Sequence, residues 1–151
     1  MSSRHDWNSW DQYWAIHDRF IQDYRDHFIL DDTLAPEITA NLVRWDGALY
    51  CVDGIEIAVS KIQDVRLRGG RAQVKTRRYA YQVHRRVGDR VLSIFRYDNF
   101  RHFGPGEASP HHVHRFDENG DEVEVRPLTD DWPTLGDVIA EAYDWHDRHR
   151  S

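Results

Sequence analysis

From about residue 38 to residue 128 the chain repeats one piece of local chemistry: a β-prone run, then a pair of residues that includes glycine. "ITANLVRW" and "ALYCV" flank Asp46-Gly47, and Asp53-Gly54 leads into "IEIAVSKIQDVRL". Gly69-Gly70 opens "AQVKTRRYAYQVHRRV", Gly88-Asp89 turns it into "RVLSIFRYD", and "HHVHRF" meets "EVEVRPL" around Asn119-Gly120. Such pairs supply the positive φ that tight hairpin turns require, so consecutive runs are expected to pair antiparallel. The pattern predicts a β-meander of six or seven strands.

Helical periodicity appears only at the two ends. In "DWNSWDQYWAIHDRFIQDYRDHF", Trp7, Trp10, Trp14, His17, Ile21, Tyr24 and Phe28 recur in steps of three and four, which predicts one long N-terminal helix with an aromatic seam. "LDDTLAPE" then supplies turn chemistry. Near the C-terminus, Thr134 and Asp137 are spaced as a capping box ahead of the stripe Leu135, Val138, Ile139, Ala142 and Trp145. The expected class is α+β, an antiparallel sheet flanked by an N-terminal and a C-terminal helix. Residues 1–34 read as the aromatic helical segment and 35–151 as the α+β domain, together one globular unit. The aromatic seam is expected to cover its own sheet, with a partner or a second copy of the chain as the alternative.

The 151 residues suit a single core, and 40% apolar content argues for a folded chain. No apolar run approaches the roughly 18–20 residues of a membrane span, and the N-terminus lacks a signal-peptide core. Cys51 is the only cysteine, which excludes an internal disulfide and points to a reducing cytoplasm. The net charge of −6 conceals a partition. Residues 61–101 hold 12 Lys/Arg against 3 Asp/Glu, and the rest of the chain 8 against 23. Such a block suits a phosphate chain, or simply solvates a sheet face.

Chemistry-bearing residues gather in "FRYDNFRHFGPGEASPHHVHRF". Strand alternation puts Arg96 and Asp98 on one face with Tyr97 on the other, and likewise groups His112 with His114. If the two strands are neighbours, Arg96, Asp98, His112 and His114 converge, and His102 enters from the loop between them.

Three readings follow. In the first, His112 and His114, completed by Asp98 or His102, ligate a metal. In the second, no metal or other cofactor is needed and the cluster cleaves RNA through the 2′-hydroxyl. His112 or His114 takes the proton, His102 or Tyr97 donates one to the leaving oxygen, Arg96 stabilises the phosphorane, and Asp98 orients its neighbours. Arg77, Arg78, Arg85 and Arg86 would hold the strand while Tyr79 and Tyr81 stack bases. In the third, the cluster is a polar turn without chemistry, and the basic sheet binds a nucleic acid or partner that it does not cut.

"WDGALYCVDG", "YAYQVHR", "FRYDNFRH", "HHVHRFDENGDE" and "WPTLGDVIAEAYDW" resemble the TumE family of toxin components, from about Trp45 to Trp145. The resemblance implies a prokaryotic toxin–antitoxin pair in which a cognate antitoxin neutralises this chain. It carries Arg96, Tyr97, Asp98, His102, His112 and His114 over as motif positions, without assigning them roles. Nothing is carried over to the aromatic helix.

Overall fold

The computed structural model describes residues 5–100, 110–129 and 131–149. Its described part is an antiparallel sheet with a helix from each end of the chain against one face. The strands are β1 (Asn8–Ser9), β2 (Ile29–Asp32), β3 (Ala35–Ile38), β4 (Leu42–Cys51), β5 (Ile55–Arg68), β6 (Arg71–Val87), β7 (Arg90–Asp98), β8 (His112–Phe116) and β9 (Glu122–Pro127). Helices α1 and α2 span Trp10–Tyr24 and Leu135–His149. The sheet runs β2-β4-β5-β6-β7-β8-β9, with β1 added to β6 and β3 to β4.

The α+β class holds, and three details differ from the sequence reading. Nine strands form among the described residues rather than six or seven, because the short β1, β2 and β3 pair with longer neighbours while the two runs around Asp46-Gly47 merge into β4. The N-terminal helix is shorter than its periodicity suggests. Ser9 caps it by accepting a hydrogen bond from the Gln12 amide at 3.1 Å, and Arg25 leaves it in an extended conformation. Finally, Asp46-Gly47 makes no hairpin, since β4 runs straight through it. Gly47 is needed for a different reason: at φ 155°, a Cβ there would lie 2.6 Å from the Thr33 carbonyl oxygen.

The core fills the space between the helices and one face of the sheet. Trp45, Leu49, Ile57, Tyr79, Val83 and Val113 face inward from the strands, against Val138, Ile139 and Ala142 of α2. The predicted capping box starts α2. The Thr134 amide donates to Asp137 Oδ2 at 3.0 Å, and the Asp137 amide donates to Thr134 Oγ at 3.2 Å.

Helix α1 covers its own sheet, and Trp45 is the anchor. Its ring lies 4.5 Å from His17 and about 6 Å from Trp10, Tyr13 and Trp14. Its indole N–H donates to Gln63 Oε1 at 2.7 Å. The Lys61 ammonium lies over the Tyr13, Trp45 and Tyr81 rings and donates to the Tyr13 hydroxyl. Trp14 and Ile16 remain 42% and 46% exposed.

Trp45→Ala is expected to cost about 3–5 kcal/mol in urea unfolding, because it opens a cavity under α1 and strands the Gln63 carbonyl. The same change should make residues 10–24 the first site of limited proteolysis.

Candidate functional site

Pairing of β7 with β8 sets Arg96 opposite His114 and Asp98 opposite His112. All four therefore share the sheet face away from the helices, as alternation predicted. Gln82 of β6, opposite Arg96, completes the row.

Asp98 is the hub. It is 0% exposed, and its Oδ2 accepts from Arg96 Nε at 2.6 Å while Oδ1 accepts from the Phe100 amide at 3.2 Å. Arg96 also donates to Gln82 Oε1 at 3.0 Å. His114 stands between two carboxylates, with Nε2 3.4 Å from Asp98 Oδ2 and Nδ1 3.3 Å from Glu122 Oε2. His112, 2% exposed, donates from Nδ1 to the Pro110 carbonyl at 3.1 Å. Arg96 and His114 reach the rim, their side chains 27% and 12% exposed. His102 lies outside the described residues.

Beside this row, Arg77 and Arg78 line a shallow hollow with Ile62, Asn99 and Phe100. Arg77 pairs with Asp64 at 2.9 Å, and the Arg78 guanidinium lies 4.4 Å from the Phe100 ring centre. Asn99 pins the hollow by donating to the Arg77 carbonyl and accepting from the Tyr79 amide. Further along β6, Arg86 pairs with Glu56, and Arg85 donates to the Asp53 carbonyl. Within the basic block Lys75, Arg77, Arg86 and Arg96 thus each face an acid of the same chain.

Three tyrosines leave the site. Tyr79 and Tyr81 do share a face, but it is the core face, where they are 0% and 2% exposed. Tyr79 stacks on Trp132 at 4.3 Å, so neither ring is available to a base. Tyr97 also faces the helices. Its hydroxyl donates to Glu141 at 2.6 Å and accepts from Arg115 at 3.3 Å. Burial first, then the Glu141 carboxylate, pushes its pKa up to about 12. It cannot donate a proton beside Arg96. Gln82, Phe100 and Glu122 were missed as site residues. Gln82 had a signal in its place one strand over in the same alternation, and Phe100 in standing two residues from Asp98.

Among the described residues, no three His, Cys, Asp or Glu side chains form a group fit to hold a metal ion. His112, His114 and Asp98 therefore do not make the predicted ligand set between them. Arg96, Asp98 and His114 instead place a guanidinium and an imidazole at a sheet surface beside one buried carboxylate.

Such an antiparallel sheet with two helices on one face, and a His/Arg/Asp row on the other, defines a small α+β protein with a polar, cation-bearing site. The sequence profile described as Toxin TumE matches residues 17–149, so the chain belongs to the TumE toxin family. The match begins inside α1, further upstream than the sequence motifs reach. No curated protein and no solved structure matches the chain.

Asp98→Ala is expected to destabilise the fold by about 2–4 kcal/mol, since it empties the buried carboxylate position and leaves the partly buried Arg96 guanidinium and the Phe100 amide without their acceptor. Glu124→Ala, which breaks only exposed pairs with Arg115 and Arg126, should cost under about 1 kcal/mol. Chemical denaturation of the two variants checks the contrast.

Glu56 supplies a pH test. Burial alone would raise its pKa, but hydrogen bonds from Arg86 and His84 outweigh burial and depress it. A depressed carboxyl contributes stability that is complete above its unfolded pKa and fades as pH falls through the folded one. Glu56→Gln should therefore be less stable than the parent at pH 7, with the gap closing below the ordinary carboxylate range. An equal gap at pH 7 and pH 3 contradicts this.

Proposed function

We propose that this chain is the toxin of a toxin–antitoxin pair and acts in the cytoplasm as a metal-independent endoribonuclease, held inactive by a cognate antitoxin. The observation that carries the reading is the β7–β8 register, which sets Arg96 and His114 side by side with Asp98 behind both.

In this chemistry His114 takes the proton from a ribose 2′-hydroxyl as O2′ bonds to phosphorus. The P–O5′ bond then breaks, and an acid returns a proton to O5′. Arg96 supplies the fixed positive fork for the phosphorane oxygens. Asp98 holds the Nε2 side of the imidazole and aims the guanidinium, and the exposed Glu122 swings away from Nδ1 to free that nitrogen as the base. With Tyr97 on the other face, His102 and His112 are the candidates for the acid. Arg77 and Arg78 hold the flanking phosphates.

A second reading rests on the burial of Asp98 and His112. A network this enclosed can shape a surface that grips RNA or a protein without cutting it.

Induced expression with RNA integrity as the readout separates the two. If the chain is an enzyme, Arg96→Ala and His114→Ala each reduce cleavage and toxicity by about 10²-fold or more, and chelator leaves cleavage unchanged. Arg77→Ala with Arg78→Ala weakens RNA binding and flattens its salt dependence under either reading. Intact RNA with persistent toxicity in the His114 variant would leave only the binder.

A further inference from the structure

On the core face, between α1, the start of α2 and β6, lies a cavity of about 270 Å³. Its wall is mostly apolar and aromatic, from Ile16, Phe20, Val74, Tyr81, Trp132 and Leu135. Helix α2 closes against α1 where Gly136 meets the Phe20 ring, at a spot where a Cβ would lie 2.5 Å from the ring.

His17 also lines this cavity, and it is the feature that calls for a ligand. It is 7% exposed and packs against both the Trp14 and Trp45 rings, at 5.7 and 4.5 Å. No hydrogen bond joins either of its ring nitrogens to a described residue, and neither nitrogen is fully enclosed by protein. The cavity is the space in which a hydrogen-bonding partner fits. Burial, and then the nearby Lys61 charge, lower its pKa to about 4. The neutral ring therefore offers one donor and one acceptor. Gln63 and Thr76 add neutral polarity but already bond to each other at 3.2 Å.

Charge narrows the ligand further. Asp6 and Asp137 line the cavity, and among the described residues no lysine or arginine does, the Lys61 charge that acts on His17 standing behind the wall. Anions such as nucleotides or carboxylic acids are disfavoured there. The volume falls between the roughly 150 Å³ that admits benzene and the roughly 300 Å³ at which drug-sized sites begin.

We propose that this cavity binds a small uncharged nitrogen heteroaromatic of one or two rings, with its ring N–H or ring nitrogen paired to His17. Indoles and free nucleobases share that chemistry. The site lies across the sheet from Arg96 and His114 and is independent of the ribonuclease reading.

Calorimetric titration of the full chain with indole, adenine, toluene and AMP tests it. Saturable binding of indole or adenine is expected, and which of the two binds more tightly identifies the ligand source. AMP should bind at least 10-fold more weakly than adenine. His17→Phe keeps a ring against the two tryptophans and removes the nitrogens. It should weaken the heteroaromatic at least 10-fold while leaving toluene within 2-fold. Ile16→Trp, at a half-exposed position on the cavity wall, should abolish binding of all of them even if the His17 variant fails to fold. No heat from indole or adenine up to millimolar concentration overturns the proposal. So does equal affinity for adenine and AMP, or unchanged heteroaromatic affinity in a folded His17→Phe chain.

Discussion

Two-residue alternation along β6, fixed by β5 on one side and β7 on the other, decides what each chemically interesting side chain can reach. Ile62 pairs with Arg78 and Gln63 with Thr76, so Arg77 is an extra residue in the ladder. That bulge reverses the parity of the strand. Upstream, the even-numbered Val74 and Thr76 face the helices; downstream, the odd-numbered Tyr79, Tyr81 and Val83 do. Without it, one half of β6 would bury arginine or expose tyrosine. The same slip lets Arg77 and Arg78 border one hollow.

Charge on the face away from the helices is governed by Asp98. A carboxylate with no exposed surface survives only when its oxygens are hydrogen-bonded and its charge is matched. Arg96, the Phe100 amide and the edge of His114 meet both needs. The cost is mobility. Arg96 is tied at Nε to Asp98 and at Nη1 to Gln82, so it behaves as a preset fork rather than a searching cation. A group fixed in this way loses little freedom when an anion binds, which distinguishes it from the exposed Arg90 of the same strand.

How far the sequence disclosed this differs from residue to residue. Alternation alone put Arg96 with Asp98 and His112 with His114, because a period of two is a property of any strand. That the two pairs oppose each other required register, which depends on the length and course of the connection between β7 and β8. Tyr79 and Tyr81 were read as a stacking surface because alternation tells which residues share a face, not which face a helix covers. Asp46-Gly47 looked like a turn because glycine serves both turns and close backbone contacts. Only the approach of Thr33 distinguishes the two. Glu122 had no local signal, since His114 is brought to it by strand pairing, whereas the Phe100 amide reaches back only two residues to Asp98.

One ring of α1, that of Tyr13 beside the aromatic seam, has its explanation in Lys61. This lysine is 2% exposed and has tyrosines rather than a carboxylate around it. Burial opposes its charge, but Tyr13 and Tyr81 outweigh burial and hold its pKa above the ordinary lysine value. The Tyr13 hydroxyl accepts from the ammonium, and the Tyr13, Trp45 and Tyr81 rings lie within 4.9 to 5.7 Å of it. Leucines along the same stripe would remove comparable apolar area from water, yet would give the ammonium neither an acceptor nor a ring quadrupole. Aromatic side chains supply both while still packing against the sheet. Undocking α1 would remove Tyr13 from that arrangement, so the docked helix and the buried lysine stabilise one another. That mutual need accounts for a tyrosine at position 13; the seam rings themselves pack against Trp45.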